Sequence, residues 1–586
     1  MEFLPGGLMG WPLLVLGLAA WWLRKVYLDT QFRKFALRNH CLPEPTTVSK
    51  WPMGLDRMVR LFKVTAAEGD VLEALIHPTF LKLGWTWSFS VPLSYNTIAT
   101  ADPDNIKAIL STQFKEFPTG FRRAGAFGYV VGKCLFTVDG AEWEHARALF
   151  RPHFARGEVN NLEATEEGVR DLLAAVTARG VDEGHRADDP SEKGRWTPAF
   201  DFMELIHRYT LDVGTETFFG ANVKSQLAAI PGVKIDQDPQ LAETRRVAAD
   251  QAGASMSFAE AYKLAALAVA KRLRLQAFYW LVNPRDSARA VKYLRGFASH
   301  LAGVQLKQLS QKAAIRDDDD KKDTFLKSLA RDTQDPTELC NQTLFLLTAS
   351  RDTTASLLSW LFLMLAKHPR VFDKLRAEIV KEFGTRDEPR GQITFYRLKK
   401  CQYLQWTLNE TLRLQPPGPL NSRQAAVDTT LPTGGGPDGR SPIAVRKGQP
   451  INLCIYTMHR RQDLWGEDAL EYRPERWENR KNDWSFLPFS GGPKICLGSE
   501  CTTYYSPKLR FERSVLISAL PSELLTRVCV LLSEEYALAE ASFLTVRMLQ
   551  EFDKIEPVGD IDHIRQIVLI SMEPTDGVRV RFRRAA

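Results

Sequence analysis

The sequence predicts a mainly α fold with small β sheets, preceded by one N-terminal transmembrane helix. Three observations lead to this fold class. Residues 3–23 carry no charge, and about 20 apolar residues are enough to cross a bilayer as a helix. Beyond residue 51 the apolar residues recur mainly at helical spacing, most clearly over 344–365. Strand-like runs are few and short, the clearest being 85–99 and 451–458.

The first of these elements is interpreted as a retained membrane anchor over residues 3–23. The competing interpretation is a cleaved signal peptide, but the segment lacks a basic start and a small-residue cleavage site. Basic residues follow it directly, which by the positive-inside rule places the remaining chain in the cytoplasm: Arg24, Lys25, Arg33 and Lys34. Residues 24–50 are predicted to be a linker, and residues 51–586 one large mixed domain.

Composition excludes several classes of protein. The chain has 586 residues and a formal charge of +7, from 77 Lys and Arg against 70 Asp and Glu. This mild surplus does not indicate nucleic-acid binding, and it suits an acidic protein partner or an anionic membrane surface. Eight irregularly spaced cysteines predict no disulfide framework, so a reducing compartment is expected.

One of these cysteines lies in an unusual setting, FSGGPKICLG at residues 489–498. The glycines and proline favour a tight bend that can direct backbone amides at the sulfur of Cys496. A thiolate held in this way is a soft metal ligand whose electron donation is tuned by its hydrogen bonds. At haem iron, a thiolate ligand favours cleavage of the O–O bond. A lone cysteine is more often a buried core residue, but here Phe489, Gly492, a cation and Gly498 surround it at fixed spacing.

That spacing resembles the haem loop of the cytochrome P-450 superfamily, written FxxGxRxCxG. The resemblance implies that Cys496 is the axial ligand of haem b, in a loop shaped by Phe489, Gly492 and Gly498. Lys494 stands where the family usually has Arg. Lysine keeps the charge for a haem propionate but loses the two-pronged geometry of the guanidinium.

Three further motifs of the family occur in its order. Glu410 and Arg413 match ExxR and lie on one helical face, where they can pair. In the family a third charge joins them in a buried network beneath the haem, and Arg476 in YRPERW is the matching position. Trp143 and Arg147 match WxxxR, whose members lie one turn apart and reach the same propionate.

The remaining candidates concern the propionates and protons. Arg423 in NSR resembles another propionate contact of the family. In ASRDTT, Asp352 and Thr353 form an acid–alcohol pair inside an apolar helix, which with water can relay protons to bound O₂. The family usually has Gly where this chain has Ser350, whose hydroxyl is expected to bond back to the preceding turn.

The resemblance extends from about residue 51 onward and is closest to the fungal alkane- and fatty-acid-hydroxylating group. It implies a monooxygenase in the endoplasmic reticulum membrane, with a cytosolic catalytic domain and electrons from NADPH through a flavoprotein reductase. The expected substrate is a hydrophobic small molecule, an n-alkane or fatty acid oxidised at its end. The substrate channel is expected near 117–133 and 258–281.

Two other functions remain open at this point. A haem-thiolate isomerase or dehydratase needs no reductase, but such enzymes often lack the acid–alcohol pair that Asp352 and Thr353 provide here. The chain could also be a poorly active haem-binding product of a faulty gene model, because residues 499–533 interrupt the family pattern. In the family a long helix follows the cysteine at once, whereas here the matching text resumes only at 534–540.

Residues 499–533 have two interpretations, a surface loop that adds positive charge where an electron donor docks, or a translated intron. The signal Pro521-Ser522-Glu523 predicts that the next helix covers about 522–552. Its start is then far from Cys496, so its dipole no longer stabilises the thiolate.

We therefore expect deletion of residues 499–533 to raise the haem content and to strengthen the thiolate-type band of the reduced CO difference spectrum. The same spectrum should be recorded on the full chain at equal protein concentration. Equal band intensity from the two forms would contradict the prediction.

Overall fold

The computed structural model describes residues 10–67, 69–91, 94–155, 162–182, 195–233, 238–312, 324–480, 483–497 and 536–585. In chain order the helices of these residues are α1 (Gly10–Arg38), α2 (Leu55–Ala66), α3 (His77–Leu83), α4 (Pro103–Lys107), α5 (Phe121–Val131), α6 (Gly140–Ala155), α7 (Leu162–Thr177), α8 (Phe202–Phe219), α9 (Ser225–Ala228), α10 (Pro239–Ala252), α11 (Phe258–Arg274), α12 (Arg285–Lys312), α13 (Phe325–Asp332), α14 (Pro336–Lys367), α15 (Pro369–Phe383), α16 (Phe395–Lys400), α17 (Gln402–Leu414), α18 (Ile455–Met458), α19 (Gln462–Trp465) and α20 (Tyr536–Glu551).

The strands are short and form small sheets: β1 (Thr86–Phe89), β2 (Thr97–Thr100), β3 (Phe200–Asp201), β4 (Leu420–Gln424), β5 (Thr429–Gly435), β6 (Ser441–Val445), β7 (Pro450–Cys454), β8 (Phe552–Pro557), β9 (Gln566–Val568), β10 (Met572–Pro574) and β11 (Arg579–Arg584). The largest sheet has the order β1-β2-β7-β4, in which β2 and β7 are parallel and the other pairs antiparallel. The prediction of a mainly α fold with small sheets is confirmed. The strand predicted over 451–458 was wrong in its second half, because the chain turns into α18 after Cys454.

Helix α14 connects two apolar cores. Its first half, with residues such as Leu339 and Leu347, packs among α5, α6 and α10–α13. Its second half, from Ala355 to Ala366, packs among α7, α8, α15, α17 and α20. The helix begins with Asp335 as N-cap and Pro336 in its first turn, both favourable at a helix start. The segment 348–354, which carries the predicted acid–alcohol pair, lies between the two cores.

Helix α1 differs from the predicted anchor and linker. It continues past residue 23 to Arg38, and its described uncharged part, 10–23, is followed in the same helix by Arg24 and Lys25. None of the helices in the described part of the chain meets both the length and the apolarity needed to cross a membrane. Residues 3–9 of the predicted anchor lie outside that part.

Two other predictions also fall partly or wholly outside the described residues. Gly498 and residues 499–533 are not among them. The helix predicted over about 522–552 is described only as α20, from Tyr536 to Glu551.

Candidate functional site

The loop before Cys496 is closed by its own backbone. The amide of Cys496 donates to the carbonyl of Phe489 (3.0 Å), and the amide of Ile495 donates to that of Gly492 (3.0 Å). Gly492 has φ +69°, and a Cβ at this position would collide with the carbonyl oxygen of Leu110. Only glycine therefore allows this close approach of two backbones. The side chain of Cys496 is exposed.

Helix α6 docks directly on this loop through the WxxxR pair. Arg147 Nη1 donates to the carbonyl of Ile495 (3.2 Å), the residue before Cys496. The Arg147 guanidinium lies 5.6 Å from the ring centre of Trp143, so both side chains share one face of the helix. Arg147 is thus held beside the cysteine loop with Trp143 next to it, and the contact of both with a propionate stays a prediction.

Lys494 is held by a carboxylate of this chain. Its Nζ lies 2.5 Å from Asp139 Oδ1, 2.8 Å from Thr119 Oγ1 and 3.1 Å from the carbonyl of Val138. Burial lowers the pKa of Lys494 to about 8, although Asp139 opposes this. Burial would raise the pKa of Asp139, but hydrogen bonds from Lys494 and Thr119 hold it below its ordinary value. The sequence identified the cation and missed Asp139, which lies close to Trp143 in sequence but 355 positions from Lys494.

Two arginines converge on the edge strand β4. Arg423 Nη1 donates to Asn421 Oδ1 (2.9 Å) and to the carbonyl of Ser422 (3.0 Å). Arg123, on α5, donates to the same amide oxygen and to the same carbonyl (3.1 Å). Burial lowers the pKa of both guanidinium groups, that of Arg423 to about 10. Sequence reasoning missed Arg123, although two adjacent arginines in the apolar segment FRRAGAFGYVV are unusual enough to signal it.

The three residues predicted to form a charged network are together and buried. Arg413 makes two hydrogen bonds to Glu410, Nε–Oε2 at 2.9 Å and Nη2–Oε1 at 2.8 Å, and neither side chain is exposed. Arg476 Nε reaches Glu410 Oε1 at 3.3 Å. Trp477 Nε1 and the amide of Arg473 also donate to Glu410, at 3.0 Å each.

This network continues to the cysteine loop through a residue that the sequence did not single out. The ring of His459 contacts the carbonyl of Arg413 through Nδ1 (3.0 Å) and accepts from the amide of Leu487 at Nε2 (3.0 Å). Leu487 lies two residues before Phe489. His459 is fully buried, and burial together with the charge of Arg413 lowers its pKa to about 3. It is therefore a neutral connector between α17 and the loop.

The central segment of α14 carries the acid–alcohol pair. Thr353 is exposed, and its hydroxyl donates to the carbonyl of Ala349 (2.6 Å). The Ser350 hydroxyl donates to the carbonyl of Leu347 (3.3 Å), so the predicted bond to the preceding turn is present. Asp352, in contrast, is buried and faces away from solvent.

Next to this segment lies an apolar pocket between α5, α11, α12 and α14. Its lining residues lie in the described part of the chain and none is charged: Phe127, Val130, Val131, Tyr262, Ala265, Ala266, Val269, Leu294, Leu344, Thr348 and Ile570. The stretches 117–133 and 258–281, which the sequence assigns to a substrate channel, therefore line one pocket.

Comparison with known proteins identifies the family. A family model described as cytochrome P450 matches residues 76–501. The chain belongs to the cytochrome P450 family. The enzyme class predicted from the sequence, an oxidoreductase that incorporates molecular oxygen, is thereby confirmed.

Similar proteins are fungal cytochromes P450. Cytochrome P450 monooxygenase g430 of a Fusarium species is 36% identical over 519 residues, 88% of this chain and 80% of that protein. Cytochrome P450 52A5 of Candida maltosa is 37% identical over 512 residues, with 86% and 84% covered. Cytochrome P450 52A1 of Candida tropicalis is 37% identical over 467 residues, with 78% and 73% covered.

A cytochrome P450 implies haem and electrons from a reductase, and the charges of this site fit haem b. Arg123, Arg423 and Lys494 are three cations at most 10% exposed. In the described part of the chain, the carboxylate that bonds to this cluster is Asp139, and Arg423 Nε is buried without a hydrogen-bond partner. Buried charges need partners, and two propionates would supply the missing anions.

We predict that His459 contributes to acid sensitivity. Because its pKa is lowered from 6.5 to about 3, the unfolded chain binds a proton in this pH range that the folded chain does not. The free energy of unfolding should therefore fall below pH 6.5, by up to about 1.4 kcal/mol per pH unit. Glutamine can donate to one partner and accept from the other without titrating, so His459→Gln should lose this part of the acid dependence.

The measurement is thermal or denaturant unfolding of both proteins at pH 7.5 and pH 5. His40→Gln, at an exposed histidine, is the matched control and should keep the acid dependence of the parent chain. An unchanged acid dependence in His459→Gln would refute the assignment.

Proposed function

We propose that this cytochrome P450 hydroxylates a long-chain n-alkane or fatty acid at its terminal carbon, with electrons from NADPH through a flavoprotein reductase. The observation that carries the proposal is the uncharged pocket between α5, α11, α12 and α14. Its lining is uncharged, and an aliphatic chain that enters between these side chains gains free energy because its surface is removed from water. The resemblance of the sequence to the fungal alkane- and fatty-acid-hydroxylating group supports the same substrate class.

The site residues have separate roles in this proposal. When bound, haem would supply the oxygen chemistry, and the protein would supply binding and orientation. Cys496 would bind its iron through a thiolate, in a loop shaped by Phe489, Gly492 and Gly498. The propionates would be held by cations and an indole: Trp143, Arg147, Arg423 and Lys494. Asp352 and Thr353 would hold and pass protons, while Glu410, Arg413 and Arg476 would fix the loop from below.

We also propose that residues 51–586 form the catalytic domain and that 499–533 are an insertion into it. The match to the family ends at residue 501, close to the start of this segment. An insertion there separates the cysteine loop from α20, which in the family pattern follows the cysteine directly.

We expect the full chain with reductase and NADPH to convert dodecane or lauric acid to the terminal alcohol, detected by mass spectrometry. Cys496→Ser should abolish both product and the thiolate-type CO band, because serine gives no thiolate ligand. Cys41→Ser, at a partly exposed cysteine outside the site, is the matched control and should retain both. Turnover of a fatty-acid hydroperoxide without NADPH, and no NADPH-dependent product, would favour the isomerase or dehydratase instead.

Membrane attachment through the N-terminal segment is a further part of the proposal. The apolar side chains of α1 are exposed, Trp21 and Trp22 by 61% and 58%, and aromatic residues of this kind favour a membrane interface. The full chain expressed in yeast should stay with the endoplasmic reticulum membranes after alkaline carbonate extraction. A chain that starts at residue 39 should be released. Release of both chains would contradict attachment by this segment.

A further inference from the structure

The carboxylate of Asp352 is engaged at both oxygens. Oδ1 lies 2.5 Å from Arg351 Nη1, and Oδ2 accepts from the hydroxyl of Tyr262 at 2.9 Å. The side chain is only 6% exposed. The hydroxyl of Thr353, next in sequence, donates instead to Ala349. In this arrangement Asp352 and Thr353 are bonded to other groups and not to each other. A proton relay needs the acid and the alcohol within hydrogen-bond distance, directly or through one water.

Tyr262 connects the acid to the apolar pocket. It belongs to α11, whose residues Ala265, Ala266 and Val269 line the same pocket. Its ring is buried, and the guanidinium of Arg351 lies 4.3 Å from the ring centre. An aliphatic chain in the pocket would therefore contact the residue that holds Asp352. A ligand shifts the equilibrium between two conformations only if it binds one of them more tightly. A chain that contacts the Tyr262 ring can favour the conformation in which this ring has moved away from Asp352.

We propose that Tyr262 is a positioning residue that holds Asp352 away from Thr353 until a hydrophobic substrate fills the pocket. Substrate that displaces the Tyr262 ring frees Oδ2 while Oδ1 stays with Arg351, and the freed oxygen can then reach Thr353 through one water and pass protons. A hydrogen bond to a charged group is strong enough to shift such an equilibrium about ten- to a hundredfold. This inference rests on the proposed monooxygenase function but does not depend on which substrate is used.

The electrostatic surroundings of Asp352 come from four elements. Arg351 lies on α14 itself, Tyr262 on α11, Glu573 on β10 and His207 on α8. Burial raises the pKa of Asp352; Glu573 acts in the same direction, while Arg351, His207 and the Tyr262 hydroxyl oppose it. Removal of that hydroxyl takes away a hydrogen bond that favours the ionised acid. The pKa of Asp352 should then rise further.

The test is Tyr262→Phe in the full chain with reductase, because it removes one oxygen atom and leaves the ring in place. Without substrate, a freed acid delivers protons too early, and O₂ takes two electrons from NADPH and two protons to leave as H₂O₂. We expect substrate-free NADPH oxidation and H₂O₂ release to rise about three- to tenfold. We also expect the stimulation by dodecane or lauric acid to shrink.

Tyr293→Phe is the matched control, since Tyr293 is equally buried, on α12, and does not line the pocket. It should behave as the parent chain. A second measurement does not use turnover: the infrared carbonyl band of protonated Asp352, assigned by its loss in Asp352→Asn, should persist to higher pH in Tyr262→Phe. An unchanged H₂O₂ release or an unchanged titration of this band would overturn the proposal.

These outcomes are separable from the proposed substrate class. If the parent chain forms no product from either probe, the substrate assignment fails. The substrate-free oxidation and the infrared titration still decide the role of Tyr262.

Discussion

The buried ion pair between Glu410 and Arg413 is the constraint on which the site depends. Removing two charges from water costs roughly several kcal/mol per ion, which is recovered only where the remaining donors and acceptors are satisfied. Here Arg413 also donates to the carbonyls of His459, Ala469 and Glu471. The buried guanidinium of Arg413 needs all three carbonyls as acceptors. The pair therefore fixes the course of the chain over 459–471, because a different course would leave N–H groups of Arg413 without an acceptor.

This constraint is transmitted to the cysteine loop by His459. Its two ring nitrogens join the carbonyl of Arg413 to the amide of Leu487, and its ring packs against Phe486 with centroids 5.3 Å apart. From the opposite side, Arg147 holds the carbonyl of Ile495. The loop that carries Cys496 is thus held by hydrogen bonds to His459 and to Arg147.

A buried carboxylate, that of Asp352, lies where α14 passes between its two apolar cores. Helix α14 is largely buried in both halves, and Asp352 is a buried carboxylate near its middle, next to the exposed Thr353. At β4, Arg123 and Arg423 both donate to Asn421, and Asp139 is the acid that acts on both guanidinium groups. Buried charges of this kind reduce stability unless they are paired, and the anionic propionates of haem would pair with the two arginines.

The sequence by itself determined what depends on local spacing. The glycines before Cys496 and the helical pairs Glu410–Arg413 and Trp143–Arg147 could be found because their partners lie within a few residues. The tertiary structure alone decided that Lys494 meets Asp139, that Arg123 meets Asn421 and that Tyr262 meets Asp352. These residues are separated by 355, 298 and 90 positions, and no local pattern records contacts made only when distant helices and strands pack together.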